Sequence, residues 1–355
     1  MIKYTVGVTG LNATDNPAPG VPVIRSIKDS PLWKGKIVGL AYDALDTGIY
    51  NNDLLDEVYL IPYPSEGEEN LLARLKYIKG KTGINVIIPT LDSELSNFAR
   101  LEPELKKINV HLLIPSEKKL KLRAKTTLYE FCRKNGFDVP YTTIVQEPAE
   151  IAKKMSDFKF PVAIKGVFYE SYTAWTIDEA IVYFCKIKER WGLPIILQEY
   201  IKGEEYDVVA LCDKKSKVKG AVAMRKLRIT DKGKAWAGIT IMDEKLLDLS
   251  KNILEKLKWT GPLEMEFVKD SLSNKYYLLE INPRFPSWVY LATRAGQNLP
   301  LATLLLALDK DTLPFEKVKP GLTFVRHAID MVCPIEYLEE LTTKGELLYN
   351  TNHKK

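Results

Sequence analysis

The stretch YYLLEINPRF, Tyr276 to Phe285, sets a carboxylate, an amide and a guanidinium on alternate positions of an otherwise apolar run. Side chains alternate across a strand, so Glu280, Asn282 and Arg284 share one face and Tyr277, Leu279 and Ile281 the other. The apolar face belongs in a core. The polar face offers two oxygen ligands suited to a hard cation such as Mg²⁺, and an arginine suited to a phosphate or carboxylate. A second run, LEMEFVKD from Leu263 to Asp270, alternates Leu263, Met265 and Phe267 against Glu264 and Glu266. The polar loop 270–275 joins the two runs into a hairpin. Glu264 or Glu266 then stands across from Glu280. Facing carboxylates raise each other's pKa unless a cation lies between them, and a divalent metal is the economical reason for the pattern.

Cationic groups recur upstream. Lys165 ends the apolar strand FPVAIKG, and an ammonium inside an apolar run calls for an anionic partner. Lys125 stands at the start of a helix among other lysines and by itself reads as a surface residue. QEYIKGEE, Gln198 to Glu205, follows a buried strand: its backbone can pair with an adenine edge, Glu205 can accept from ribose hydroxyls, and Gly203 can also simply make the bend. Arg225 and Arg228 on MRKLRI can offset anionic charge or sit on a solvated strand face.

The bulk properties exclude several classes. With 355 residues, 46% hydrophobic and 27% charged, the chain is an ordinary globular protein of two or three domains. The formal charge of +5 is spread out, and the Lys-rich segment 118–125 lacks the interleaved aromatics of a nucleic-acid surface. The cysteines Cys132, Cys185, Cys212 and Cys333 show no metal or redox spacing, and each sits in an apolar setting that reads as core. Three histidines leave little for a zinc site or a Ser-His-Asp apparatus. No signal peptide or membrane-spanning run is seen, so a cytoplasmic location is the default expectation, without membrane or nucleic-acid partners.

The elements that must position these groups fall into two styles. YTVGVTG, KIVGLAYD, EVYLIP, NVIIPTL and VHLLIP are short apolar strands alternating with helical patterns at 70–79 and 92–107, which predicts an open parallel sheet with helices on both faces. The loop GLNATDNPAPG at the end of the first strand is neither a GxGxxG nor a Walker A sequence, and offers at most a substrate contact. Pro115 and Ser116 mark a boundary. Beyond it come a helix over 124–135 with Gly136 as its C′ residue, the strand with Lys165, and a helix opened by a Thr176–Glu179 capping box and closed by Gly192. LPIILQEYI, the antiparallel pair VVALCD and GAVAMRKLRIT, a helix over 244–257 and the acidic hairpin complete a two-lobed α+β unit.

This series resembles the ATP-grasp superfamily, in its carbamoyl-phosphate synthetase-like and carboxylate–amine ligase branch, from about Arg123 to Leu308. PVAIKG resembles the strand whose lysine binds the α- and β-phosphates, and LRAKTTLYEFCRKNGFDVP the opening helix with its first phosphate-contacting lysine. The resemblance thus implies ATP contacts by Lys165 and Lys125, adenine contacts along Gln198, Glu199, Tyr200 and Ile201, and a ribose contact by Glu205. MEFV and LLEINPR resemble the metal-binding strands, which assigns Glu266, Glu280 and Asn282 to Mg²⁺, with Mn²⁺ as a substitute, and Arg284 to the reacting anion. Arg225 and Arg228 would add catalytic positive charge. One departure is the lid: GVFYESYTAW carries only Gly166 where the family often has a Gly- and Ser-rich loop, so Ser171, Tyr169 or Tyr172 would have to serve.

The implied fold is α/β plus α+β: a pre-ATP-grasp domain at 1–115, an ATP-grasp domain at 116–309 (small lobe within about 124–198, large lobe about 199–309) and an appended segment at 310–355. The implied activity joins a small-molecule carboxylate to an amine through an acyl phosphate, with release of ADP and phosphate; family members are often homodimers. The alternatives are a bicarbonate-using half-enzyme and a non-catalytic ATP-binding module. Trp288 and Arg294 are candidates for the acceptor end.

Overall fold

The computed structural model describes residues 1–13, 16–167, 170–231 and 233–349; Tyr169 and the polar tail lie outside them. Four short strands, β1 (Thr5–Val8), β2 (Lys36–Ala41), β3 (Glu57–Leu60) and β4 (Val86–Ile88), pair in parallel in the order β3-β2-β1-β4. They are apolar on both faces because both are covered. Val6, Val8 and Ile37 pack with helix Gly20–Lys28, while Val38, Leu40 and Ile87 pack with helices Glu68–Thr82 and Leu95–Lys107. VHLLIP, expected as a fifth strand, is instead a buried extended segment. It touches the sheet at one bridge, Val86 to His111, because its remaining residues turn away to enter the next body.

Helix Lys125–Asn135 follows and ends at Gly136, whose φ of 74° only glycine adopts without strain. The second sheet holds β5 (Thr142–Val145), β6 (Val162–Lys165), β7 (Ser171–Ala174) and β8 (Ile195–Glu199), all antiparallel, ordered β5-β8-β6-β7. Val162, Ile164, Ile195 and Leu197 point into a core closed by helix Ile177–Trp191. Thr176 caps that helix, its Oγ1 accepting from the Glu179 amide; the Glu179 carboxylate accepts from the Trp175 amide rather than from the cap residue.

The third sheet is the largest. Strands β9 (Gly203–Cys212), β10 (Val218–Ile229), β11 (Ala235–Ile241), β12 (Gly261–Asp270), β13 (Tyr276–Asn282) and β14 (Thr323–Val325) run antiparallel in the order β13-β12-β9-β10-β11-β14. One face packs Val208, Ala210, Leu263, Met265 and Phe267 against helix Glu244–Leu257. The other face carries Val209, Leu211, Val222 and Met224 at one end and the charged groups described below at the other. The segment after Lys310 contributes β14 to this sheet and returns as β15 (Glu346–Leu348), antiparallel to β3 on the edge of the first sheet. Of the four cysteines, Cys132 and Cys212 are core residues; Cys185 is exposed and Cys333 partly so, because each sits at a surface position of its segment.

Candidate active site

Register decides which acids meet, and the hairpin fixes it. Glu266 stands directly opposite Glu280, and Glu264 opposite Asn282. A bulge falls between Glu266 and Phe267: Phe267 pairs with Leu278, so Leu279 is the extra residue. It shifts the parity expected from strict alternation. Tyr276, Leu278 and Ile281 enter the core, while Tyr277 and Leu279 do not. The extra residue is what allows Leu278 and Glu280 to face opposite sides of the sheet although two positions apart.

Asn282 ties the acids together. Its Nδ2 donates to Glu264 Oε2 at 3.1 Å and to Glu266 Oε1 at 2.9 Å. Buried Trp288 donates from Nε1 to Glu264 Oε1 at 2.7 Å. Burial, reinforced by the Glu266 charge, pushes the Glu264 carboxyl up to about 7. Glu266 titrates below the ordinary range: burial would raise it, but the Lys226 ammonium and the Asn282 amide prevail.

The cations approach from three directions. Lys125 Nζ, at the start of its helix, lies 3.2 Å from Glu280 Oε2. Lys165, at the end of β6, is half-buried, and among the described residues no carboxylate lies within ion-pair distance of it; desolvation and the Lys125 charge lower it to about 8. Lys226 on β10 is 4% exposed at its side chain and is caged by Glu205 at 3.0 Å, Asp207 at 3.3 Å and Glu266 at 2.9 Å. Burial alone would lower its pKa, but those three carboxylates hold it well above the ordinary lysine value.

Lys226 is the residue that sequence reasoning missed, in favour of its neighbours. Arg225 lies on the opposite face of β10 and pairs with Glu204 at 3.1 Å, and Arg228 is exposed beyond an irregularity in the β10–β11 ladder. The structure brings neither to the acidic cluster. A signal existed: the alternation Val222, Met224, Lys226 continues an inward face, which turns the Lys226 side chain inward.

Arg284 lies at the far end. Its Nε donates to Asp92 Oδ2 at 2.7 Å, and its Nη1 is 3.8 Å from Glu264. The other Asp92 oxygen accepts from Arg123 at 2.7 Å. Burial would raise the Asp92 carboxyl, but these two guanidiniums hold it low. Asp92 follows β4, at the carboxyl end of the parallel sheet where open α/β sheets place their sites.

The remaining candidates scatter. Gln198 is buried and donates to Thr142 Oγ1 at 2.9 Å; Glu199 accepts from the Tyr141 amide at 3.0 Å; Tyr200 is exposed and Ile201 half-buried, in the crossing from β8 to β9. Arg294 pairs with Asp29 at 3.2 Å on the surface, apart from the cluster. Ser171 and Tyr172 lie on β7, paired with Lys165 and Ile164.

Among the described residues no three His, Cys, Asp or Glu side chains converge to hold an ion alone. What converges is oxygen only: two facing glutamates and an amide oxygen that takes no hydrogen bond among the described residues. Such a partial hard-oxygen set fits a cation that keeps ligands from phosphates, as Mg²⁺ does.

A parallel sheet followed by two antiparallel sheets, with lysines set against carboxylates, is the arrangement of the ATP-grasp fold. Residues 193–328 match the family model described as ATP-grasp in the biosynthetic pathway with Ter operon. The chain is 25% identical over 199 residues to the D-aspartate ligase of Enterococcus faecium, covering 49% of this chain and 47% of that protein. It is 33% identical over 163 residues to the D-alanine–D-alanine ligase of Rickettsia felis, covering 42% and 49%. The chain thus spans about half the length of these curated relatives. Among solved structures, the L-amino acid ligase of Bacillus licheniformis superimposes with a TM-score of 0.65 at 14% identity, covering 90% of this chain and 78% of that one. The biotin carboxylase domain of the Hydrogenobacter thermophilus 2-oxoglutarate carboxylase, solved with MgADP, gives a TM-score of 0.70 at 14% identity, covering 91% and 74%. Among the described residues no helix is long and apolar enough to cross a membrane.

Proposed function

We propose that the chain is an ATP-dependent ligase that joins a carboxylate to an amine through an acyl phosphate, releasing ADP and phosphate. The observation that carries this reading is the convergence of Glu266 and Glu280, which face each other in the hairpin, with the Lys125 ammonium at 3.2 Å from Glu280 and with Lys165, whose pKa responds to Lys125, Glu280 and Glu266. A triphosphate with its cation would take the place of the direct Lys125–Glu280 contact. Lys125 and Lys165 would meet phosphate oxygens, and Gln198 to Ile201 would present backbone to the adenine. Glu205 would accept from the ribose hydroxyls. Glu266, Glu280 and Asn282 would hold Mg²⁺, which when bound neutralises charge on the phosphate oxygens. Arg284, fixed by Asp92, would bind the carboxylate and then the acyl phosphate that forms from it. The residues then act by positioning and charge neutralisation, so no nucleophilic side chain is needed.

In this reading residues 1–115 form the preceding domain, 116–309 the ATP-grasp unit and 310–355 an appended segment. Both named ligase relatives form products from amino-acid substrates by name, which agrees with carbon–nitrogen ligation here. The test is ADP release from MgATP with a panel of acids and amines. The proposal requires release that depends on adding both; release stimulated by bicarbonate alone favours the carboxyphosphate alternative, and no release with any pair while MgATP binds overturns ligation.

A further inference from the structure

In an open parallel sheet the crevice at the topological switch point is the usual place for a ligand. The first sheet runs β3-β2-β1-β4, so the chain leaves β1 toward β2 on one side and reaches β4 on the other. The switch point lies between the ends of β1 and β4. A carboxylate of the chain itself fills that place. Glu94 is 0% exposed, as are Thr9 after β1 and Thr90 near the end of β4. Burial raises the Glu94 carboxyl above the ordinary range although four donors oppose the shift. A buried carboxylate is costly, and a leucine would pack there without that cost.

The two oxygens of Glu94 are used unequally. Oε1 accepts from Thr9 Oγ1 at 2.5 Å, from the Thr90 amide at 2.8 Å and from the Leu91 amide at 2.9 Å. Oε2 accepts from the hydroxyl of Tyr42, the residue that follows β2. The Glu94 amide donates to Leu91 O at 3.3 Å and closes the turn 91–94. Thr90 is fastened to the sheet a second time, its Oγ1 donating to Thr9 O at 2.9 Å. One oxygen thus holds two consecutive backbone amides and the end of β1. The next residue along is Asp92, which accepts from Arg284 at 2.7 Å and from Arg123 at 2.7 Å. Its side chain can hold both guanidiniums only while the turn beneath it keeps its direction.

We infer that Glu94 is a positioning residue of the active site: by holding the Thr90 and Leu91 amides on Oε1 it aims Asp92 at Arg284 and Arg123, so that Arg284 takes its direction from the parallel sheet. This rests on the ligase reading for what Arg284 does in a reaction, but not for the geometry itself. The role belongs to the placement of an acceptor atom rather than to negative charge, because every contact of Oε1 is a donor and none is a cation.

The experiment is hydrogen exchange at the Arg284 Nε–H of the full chain, followed by ¹H–¹⁵N spectroscopy and assigned by its absence in Arg284→Lys. Each variant is measured at the same interval below its own melting temperature, so that lost stability alone affects all alike. Glu94→Met keeps the volume and removes the acceptors; exchange should quicken on the order of ten-fold or more. Glu94→Asp keeps the charge but draws it back by one methylene. It should show the same change in smaller measure, and it serves if the methionine variant does not fold. Glu94→Gln keeps Oε1 as an acceptor while its amide nitrogen donates to the Tyr42 hydroxyl, and should stay within about threefold of wild type. Tyr42→Phe touches Oε2 alone and should likewise stay within about threefold. Turnover gives a second reading. Glu94→Met should lower kcat on the order of ten-fold with the KM for MgATP within about twofold, and should lower it no further when added to Asp92→Asn. Unchanged exchange in Glu94→Met, or in Glu94→Asp where the methionine variant does not fold, overturns the inference. So does an equal quickening in Tyr42→Phe or Glu94→Gln, or effects of Glu94→Met and Asp92→Asn on kcat that multiply. Quickened exchange in Glu94→Met, with a wild type that releases no ADP for any acid and amine, upholds the positioning and counts against ligation.

Discussion

At the scale of single residues the site is built from groups that desolvation makes costly. Lys165 is the clearest case. Desolvation and Lys125 lower it from an unfolded value of 10.5 to about 8, so the folded state disfavours its proton. The resulting penalty is fully present below about pH 8 and fades as pH rises toward the unfolded value. Lys165→Met should therefore melt higher than wild type near neutral pH, with the advantage shrinking in alkali, and should bind MgATP at least ten-fold more weakly. Wild-type affinity for MgATP should fall as pH rises through about 8, read by calorimetry. Lys226 has the opposite sign. It neutralises Asp207, which is 1% exposed, so Lys226→Met leaves a buried carboxylate uncompensated and should cost about 3–5 kcal/mol in denaturant unfolding. These residues were unequally legible. Glu266, Glu280 and Asn282 announce themselves by alternation in an apolar run. Lys226 did not, because the flanking arginines carry more obvious charge and only the inward parity of Val222 and Met224 gives it away.

At the scale of elements, the hairpin of β12 and β13 and its pairing with β9 hold the acids in register. Gly203 opens β9 where the chain crosses from the second sheet to the third. A Cβ there would meet Lys269 O at 1.9 Å, an atom of the β12 backbone that cannot yield without opening the ladder. Gly203→Val should lower the unfolding free energy by about 1–3 kcal/mol and weaken MgATP binding, because the strand that carries Glu205 and Asp207 is displaced. The hairpin itself could be read from two alternating runs and a short polar loop. Its register could not, since either Glu264 or Glu266 satisfies the alternation. The bulge at Leu279 left no trace, for it arises from how the two strands meet rather than from either alone. VHLLIP shows the same limit in reverse: an apolar run long enough for a strand is buried, yet pairs at one bridge only.

At the scale of the whole molecule, the parallel sheet completes the site. Asp92 reaches from the end of β4 to Arg284 and Arg123, linking that sheet to the large antiparallel one. Its side chain was hidden in the sequence because Asp92 opens a helical pattern and reads as a helix start. As a positioning residue, Asp92→Asn should lower kcat on the order of ten-fold or more while leaving the KM for MgATP near wild type; a change in KM for ATP alone would place it elsewhere. The architecture was legible in outline because strand–helix alternation and antiparallel pairing leave different patterns. The return of β15 to the first sheet was not, since three residues, Glu346 to Leu348, carry too little periodicity. The account stands most directly on the fate of oxygen in one turnover. With the carboxyl oxygens of the acid substrate labelled with ¹⁸O, an acyl-phosphate route transfers one label into each phosphate released, visible by mass spectrometry; phosphate released without label in the presence of both substrates would contradict it.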